Sequence, residues 1–269
     1  MNEASQPGRR QSAWASHPGY SIDFEPCPRR VRVVFNGETV ADSTAAMYMH
    51  EKAHVPVYYF PRDDVRMDLL QVTDNDSFCP FKGEAAYWSI TVDGRTSENA
   101  VWSYEAPFEE VASIKDYMAF YWDRADAWFE EDVEVFVHPR DPRVRVDVLD
   151  SRRRVVVEAG GVVVADSDQA RFLFETRSPT RYYLPAEDVR TELLTATQTE
   201  TQCPYKGTAR YWSLATDAGE FEDFVWSYEN PIAECQGIAG RLCFFNERVD
   251  RITVDGEEIP AERTKWSLD

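Results

Sequence analysis

Short runs in this chain alternate apolar with polar residues at the period of two that marks half-buried strands. Val31-Arg32-Val33-Val34-Phe35, then Asn36-Gly37, then Glu38-Thr39-Val40 reads as a hairpin closed by an Asn-Gly turn. Val155-Val156-Val157, a Gly160-Gly161 turn and Val162-Val163-Val164 repeat it. Ala46 to Glu51 fits strand or helix by pattern alone, and its later counterpart, Ala170-Arg171-Phe172-Leu173-Phe174-Glu175, favours strand. Val57-Tyr58-Tyr59-Phe60 and Arg181-Tyr182-Tyr183-Leu184 predict aromatic strands, each ended by a proline that cannot continue a ladder (Pro61, Pro185). Behind those prolines, Asp64 to Leu70 and Asp188 to Leu194 place apolar residues at helical spacing after an acidic start, which predicts one short helix in each. Asp64 and Asp188 are expected to cap those helices, and Asp42 and Asp166 to bond their own backbone in Ala-Asp-Ser turns. Tyr87 to Val92, Val101 to Tyr104 and Val133 to Val137 predict further strands.

These patterns occur twice, always 124 positions apart: Cys79 and Cys203 stand at that step, and so do Glu105 and Glu229. Without gaps, 33 of the 75 positions between Val31 and Glu105 are identical to their partners, which establishes an internal duplication. The register holds beyond that window, with Phe120-Tyr121 facing Phe244-Phe245 and Arg124 facing Arg248. Residues 1–13 read as a disordered lead, 14–137 as a first repeat and 138–269 as a second, with His138-Pro139-Arg140-Asp141-Pro142 as a stiff joint. Nothing suggests β-α-β units. The fold class expected is mainly β: two tandem, similar, small antiparallel β domains, each with one or two short helices.

Composition then narrows the partners. A formal net charge of −19 argues against nucleic acid, whose phosphates need surplus Lys and Arg, and against anionic membrane surfaces. Five cysteines, an odd count with no C-x-x-C pair, argue against a disulfide framework and a ribbon-type zinc site. His50 and His54 bracket Glu51, but the second copy has Phe174 and Ser178 there, so no shared metal site is expected. The N-terminus lacks the apolar core of a secretion signal, and the chain reads as cytoplasmic with reduced thiols. No cofactor is expected.

The chemistry concentrates in Cys79-Pro80-Phe81-Lys82-Gly83 and Cys203-Pro204-Tyr205-Lys206-Gly207. Lys82 and Lys206 lie three residues after a thiol, across a turn that can fold the ammonium back toward sulfur, so Cys79 and Cys203 are candidate nucleophiles. The lysines are equally candidates for holding an anion or a carbonyl carbon. Tyr59, Trp88, Trp102 and Tyr104, with Tyr183, Trp212, Trp226 and Tyr228 in the second copy, are candidate ring walls. On a strand only one of Tyr87 and Trp88, and one of Tyr58 and Tyr59, can face the core. Glu51 and Glu175 end strands rich in large side chains and are candidate bases or ligand contacts, as is Glu105.

With Ala-Asp-Ser before the motif (Ala41-Asp42-Ser43, Ala165-Asp166-Ser167) and Trp-Ser-Tyr-Glu after it (from Trp102 and Trp226), the chain resembles two tandem copies of domain of unknown function 427. That bacterial and fungal family sometimes carries a nucleotidyltransferase-like label. The resemblance covers nearly everything after the lead and implies a small β-rich domain, leaving its activity open. The label draws no support from the residues, for the chain contains neither G-x-G-x-x-G nor G-x-x-x-x-G-K-[ST]. The functional expectation is a small-molecule site in each repeat, or one shared by both, for a polar or anionic planar ligand. The alternative is a non-catalytic scaffold in which the motif is a turn plus core.

Overall fold

The computed structural model describes residues 10–264 and Ser267. The chain divides between Asp141 and Pro142 into two compact units, described separately below. The greater part of the expected disordered lead, residues 1–9, lies outside the described residues; at its end, Ala13 donates its N–H to the Pro80 carbonyl at 2.8 Å.

The first unit holds two sheets. The larger runs in the order β1 (Ile22–Pro26), β4 (Met47–Glu51), β5 (Val57–Pro61), β9 (Tyr117–Phe120), β8 (Arg95–Ser103), β7 (Gly83–Val92) and β6 (Leu70–Cys79). The smaller runs β11 (Val133–Val135), β10 (Ala127–Glu130), β2 (Val31–Phe35) and β3 (Glu38–Ser43). Every pairing between these strands is antiparallel. Asn36 and Gly37 take φ of +49° and +81° between β2 and β3, the two left-handed positions a tight hairpin turn needs.

The second unit repeats the plan. Its larger sheet runs β12 (Val146–Asp150), β15 (Arg171–Glu175), β16 (Arg181–Leu184), β20 (Leu242–Phe244), β19 (Gly219–Ser227), β18 (Gly207–Thr216) and β17 (Leu194–Cys203). Its smaller sheet runs β14 (Val162–Ser167), β13 (Val155–Ala159), β21 (Arg251–Val254) and β22 (Glu257–Glu258). The expected pair of similar antiparallel β domains is what the chain forms.

Strand alternation splits the side chains of the large sheet into two populations. Tyr48, Tyr58, Phe60, Trp88, Ile90, Val101, Met118 and Phe120 point toward the small sheet and pack there on Val31, Val33, Phe35 and Trp128. Their neighbours Met49, Tyr59, Tyr87 and Ala119 point the other way, into a second cluster closed by Val111 and Ile114 of the 3-10 helix Glu109–Ile114. Each large sheet therefore has two packed faces, and the second carries the candidate site.

The helical content of the described residues is entirely 3-10. Where one short helix is expected from Asp64, there are two three-residue turns, Arg62–Asp64 and Met67–Leu69, with β6 starting at Leu70. The cause is Val65, which is extended (φ −110°, ψ 134°) and bridges Ala41, while Arg66 donates to the Val40 carbonyl at 2.9 Å. Asp64 and Asp188 do not cap a helix; they accept hydrogen bonds from Ser43 and Ser167 at 2.5 and 2.6 Å. Asp42 and Asp166 pair with Arg30 and Arg154, at 2.7 and 2.8 Å, where turn bonds to their own backbone are expected. No helix among the described residues is long and apolar enough to cross a membrane.

Candidate functional site

The Cys-Pro-x-Lys-Gly run closes the tight connection between β6 and β7. Lys82 donates its backbone N–H to the Cys79 carbonyl at 3.3 Å, and Gly83 follows at φ +109°, a conformation open to glycine. A side chain on Gly83 would also meet the Ala106 carbonyl at 3.4 Å. The turn sends the Lys82 side chain onto the second face of the sheet, where its ammonium meets the Glu51 carboxylate at the end of β4. Both side chains are largely out of water, at 9% and 13% exposure. Tyr20 donates its hydroxyl to the other Glu51 oxygen. Burial pushes the Glu51 carboxyl up, but the hydrogen bonds from Lys82 and Tyr20 outweigh it and hold the group below its ordinary 4.5.

Around this pair lies a cavity of about 330 Å³, lined by Met49, Val57, Tyr59, Ser77, Tyr87, Trp102, Tyr104 and Tyr121 besides Glu51, Lys82, His54 and Val55. Its rings hold one another in place. Trp102 donates its indole N–H to the Tyr59 hydroxyl at 3.3 Å, with the two rings edge to face at 6.3 Å. Tyr121 tilts over Trp102 at 4.5 Å, and the Lys82 ammonium lies 5.9 Å from the Tyr104 ring centre. Burial raises Tyr59 and Tyr104 above ordinary phenols and pushes Tyr121 up to about 12, so these hydroxyls stay neutral at physiological pH.

Of the expected residues, the fold gathers Lys82, Glu51, Tyr59, Trp102 and Tyr104 around this cavity. Trp88 is not among them: it turns toward the small sheet, and Tyr87, its neighbour on β7, takes the cavity wall. Cys79 packs beside Tyr59 and Tyr104 without lining the cavity. Glu105 pairs with Arg62. Tyr121, Ser77, Val57 and Tyr20 join the site without having been singled out, and Tyr87 enters as the alternative to Trp88 that strand alternation leaves open. Among the described residues no group of three His, Cys, Asp or Glu is placed to hold a metal.

The second unit keeps the frame. Lys206 meets Glu175 at 2.5 Å, and Trp226 donates to the Tyr183 hydroxyl at 3.2 Å. Burial pushes Lys206 down, but its electrostatic interactions with Cys203 and Glu175, together with the hydrogen bond to Glu175, outweigh it and raise the amine above its ordinary 10.5. Tyr228 and Cys203 pack with Tyr183 and Trp226. Trp212 lies elsewhere, beside a separate cavity of about 270 Å³ shared with Ser227, Glu229 and Leu242.

Two β-sandwich units, each with a buried Lys–Glu pair on the outer face of its large sheet, define a duplicated β domain. Residues 23–131 and 147–255 both match the family described as Domain of unknown function (DUF427), and the chain belongs to that family as a tandem duplication. Among curated proteins no match to the chain is found.

Proposed function

We propose that the first repeat binds a small, planar, polar organic molecule in the cavity on the second face of its large sheet. The observation that carries this reading is the convergence of five aromatic rings, Tyr59, Tyr87, Trp102, Tyr104 and Tyr121, with Lys82 and Glu51 around about 330 Å³. That volume is at the small end for ligand sites, and rings with neutral hydroxyls supply both flat apolar contact and hydrogen bonds. Because Glu51 already takes the ammonium of Lys82, the pair acts as a polar end wall. Such a wall orients a ligand more readily than it captures an anion. Saturation-transfer NMR with 4-hydroxybenzoate and agmatine, one a planar anion and the other a cation with a planar guanidinium end, tests the reading. Signal from at least one probe with the wild type, lost in Tyr121→Ala and Trp102→Leu, supports it; no signal from either counts against it.

A second reading rests on the same pair. The Lys82–Glu51 contact also pins the Cys-Pro-x-Lys-Gly turn to β4, as a scaffold requires. It predicts that Lys82→Met lowers stability and that neither probe binds the wild type.

A further inference from the structure

The duplicated cage differs at one decisive position. Val57, which lines the cavity of the first repeat, is matched 124 residues later by Arg181. The Arg181 side chain is buried on the same face of its sheet, with its guanidinium carbon 5.6 Å from the Trp226 ring centre. Both terminal nitrogens donate to Glu247, at 2.7 Å each, and the two side chains are 9% and 0% exposed. Arg181 thus places a planar cation against the cage of the second repeat.

The rings around that cation have the same arrangement in both repeats. Trp226 meets Tyr183 at 6.3 Å and 89°, where Trp102 meets Tyr59 at 6.3 Å and 88°. Phe245 tilts over Trp226 at 4.4 Å and 47°, where Tyr121 tilts over Trp102 at 4.5 Å and 43°. The charges correspond as well. Lys206, Glu175, Glu247 and Arg248 have Lys82, Glu51, Asp123 and Arg124 as partners at the fixed step. Arg248 and Arg124 close the same turn, donating backbone N–H groups to the Phe245 and Tyr121 carbonyls at 2.9 and 3.1 Å. Asp123 is exposed and borders a cleft whose wall, Tyr87 and Tyr121, it shares with the cavity. Within this matched set the first repeat is one positive charge short, and the missing charge is the guanidinium.

Resting on the cavity reading above, we propose that the first repeat binds a small guanidinium compound whose planar cation takes the place that Arg181 fills in the second. The cation lies against Trp102 and Tyr121 and pairs with Asp123. The Lys82–Glu51 pair is no obstacle, because its counterpart Lys206–Glu175 forms in the same repeat that buries Arg181. The second repeat then holds its own side chain as a permanent occupant, and the ligand stoichiometry is one per chain.

Isothermal titration of the full chain with agmatine tests this, with putrescine (the same chain length, no guanidinium) and 4-hydroxybenzoate as comparisons. The wild type is expected to bind one agmatine, and putrescine and 4-hydroxybenzoate at least tenfold more weakly. Val57→Arg plugs the first cavity and should abolish that binding while keeping the melting temperature. Arg181→Val combined with Glu247→Asp gives the second repeat the residues of the first at these two positions and should raise the stoichiometry to two. If that variant does not fold, Val57→Arg alone decides. Binding of 4-hydroxybenzoate but not agmatine overturns the guanidinium assignment and leaves the cavity reading standing. Putrescine binding as tightly as agmatine, or agmatine binding unchanged in Val57→Arg, also overturns the assignment. Silence from all three probes overturns the cavity reading itself.

Discussion

Tyr20 stacks on Phe81 with ring centres 3.6 Å apart and planes 8° from parallel, while its hydroxyl donates to Glu51. One side chain from the segment before β1 thus touches both the Cys-Pro-x-Lys-Gly turn and the carboxylate that neutralises its lysine. Trp14 adds a hydrogen bond from its indole to the Phe81 carbonyl at 2.8 Å. The second repeat has Val144 and Tyr205 at the positions of Tyr20 and Phe81, so this latch belongs to the first repeat. Tyr20→Phe keeps the stack and removes the hydrogen bond, and is expected to cost about 1 kcal/mol in urea unfolding. Tyr20→Ala should cost more, because the stack goes too.

Removing one half of a buried ion pair leaves the other half charged and poorly solvated. Lys82→Met is therefore expected to destabilise the first repeat by about 3 kcal/mol, the lower end for such pairs, since Glu51 keeps Tyr20. Combining it with Glu51→Leu should recover much of that loss. A denaturant double-mutant cycle measures the coupling, and additivity of the two changes would show that the contact contributes nothing.

Stability should respond to pH at both ends. Glu51 and Glu247 lie below their ordinary value of 4.5 in the folded chain: burial works against each, and Lys82 with Tyr20, or Arg181 with Thr264, outweighs it. Their contribution is complete above 4.5 and drains as pH falls through the lower folded values. Lys206 has the opposite sign. Its contribution is complete below 10.5 and is lost as pH rises through its higher folded value. Urea midpoints across pH should show a shallower acid limb for Glu51→Gln and a shallower alkaline limb for Lys206→Met.

The five thiols should separate by exposure. Cys27, Cys235 and Cys243 are buried, and burial pushes Cys235 up to about 11 and Cys243 up to about 12. Cys79 and Cys203 are partly exposed at the ends of β6 and β17. Iodoacetamide at neutral pH, followed by peptide mass mapping, is expected to modify these two first. Equal labelling of all five would contradict the described packing.

Much of this architecture is visible in the residues themselves. The duplication, the Asn-Gly hairpin and the aromatic strands ended by Pro61 and Pro185 follow from spacing and turn chemistry. Alternation also says that Tyr87 and Trp88 face opposite sides. Which of them meets the cavity depends on strand parity, and the ladders shift register between Val72 and Asp76 and between Trp88 and Ile90. Such bulges leave little trace in composition. The apparent helix after Asp64 fails for a related reason: its apolar spacing suits two 3-10 turns around the extended Val65 just as well. Arg181 was legible only by comparing the copies, as a charge standing where its partner is Val57.

Strand β7 carries core and cavity on adjacent residues, Trp88 for one and Tyr87 for the other. Losing a single residue there would send the tyrosine inward and expose the tryptophan, damaging both faces at once. Substitution is a gentler change, because it alters one face and leaves the other intact. The two copies bear this out: more than half of the positions from Val31 to Glu105 differ from their partners, and the chain between them kept its length residue for residue. A sheet built on both sides tolerates new letters and refuses insertions and deletions.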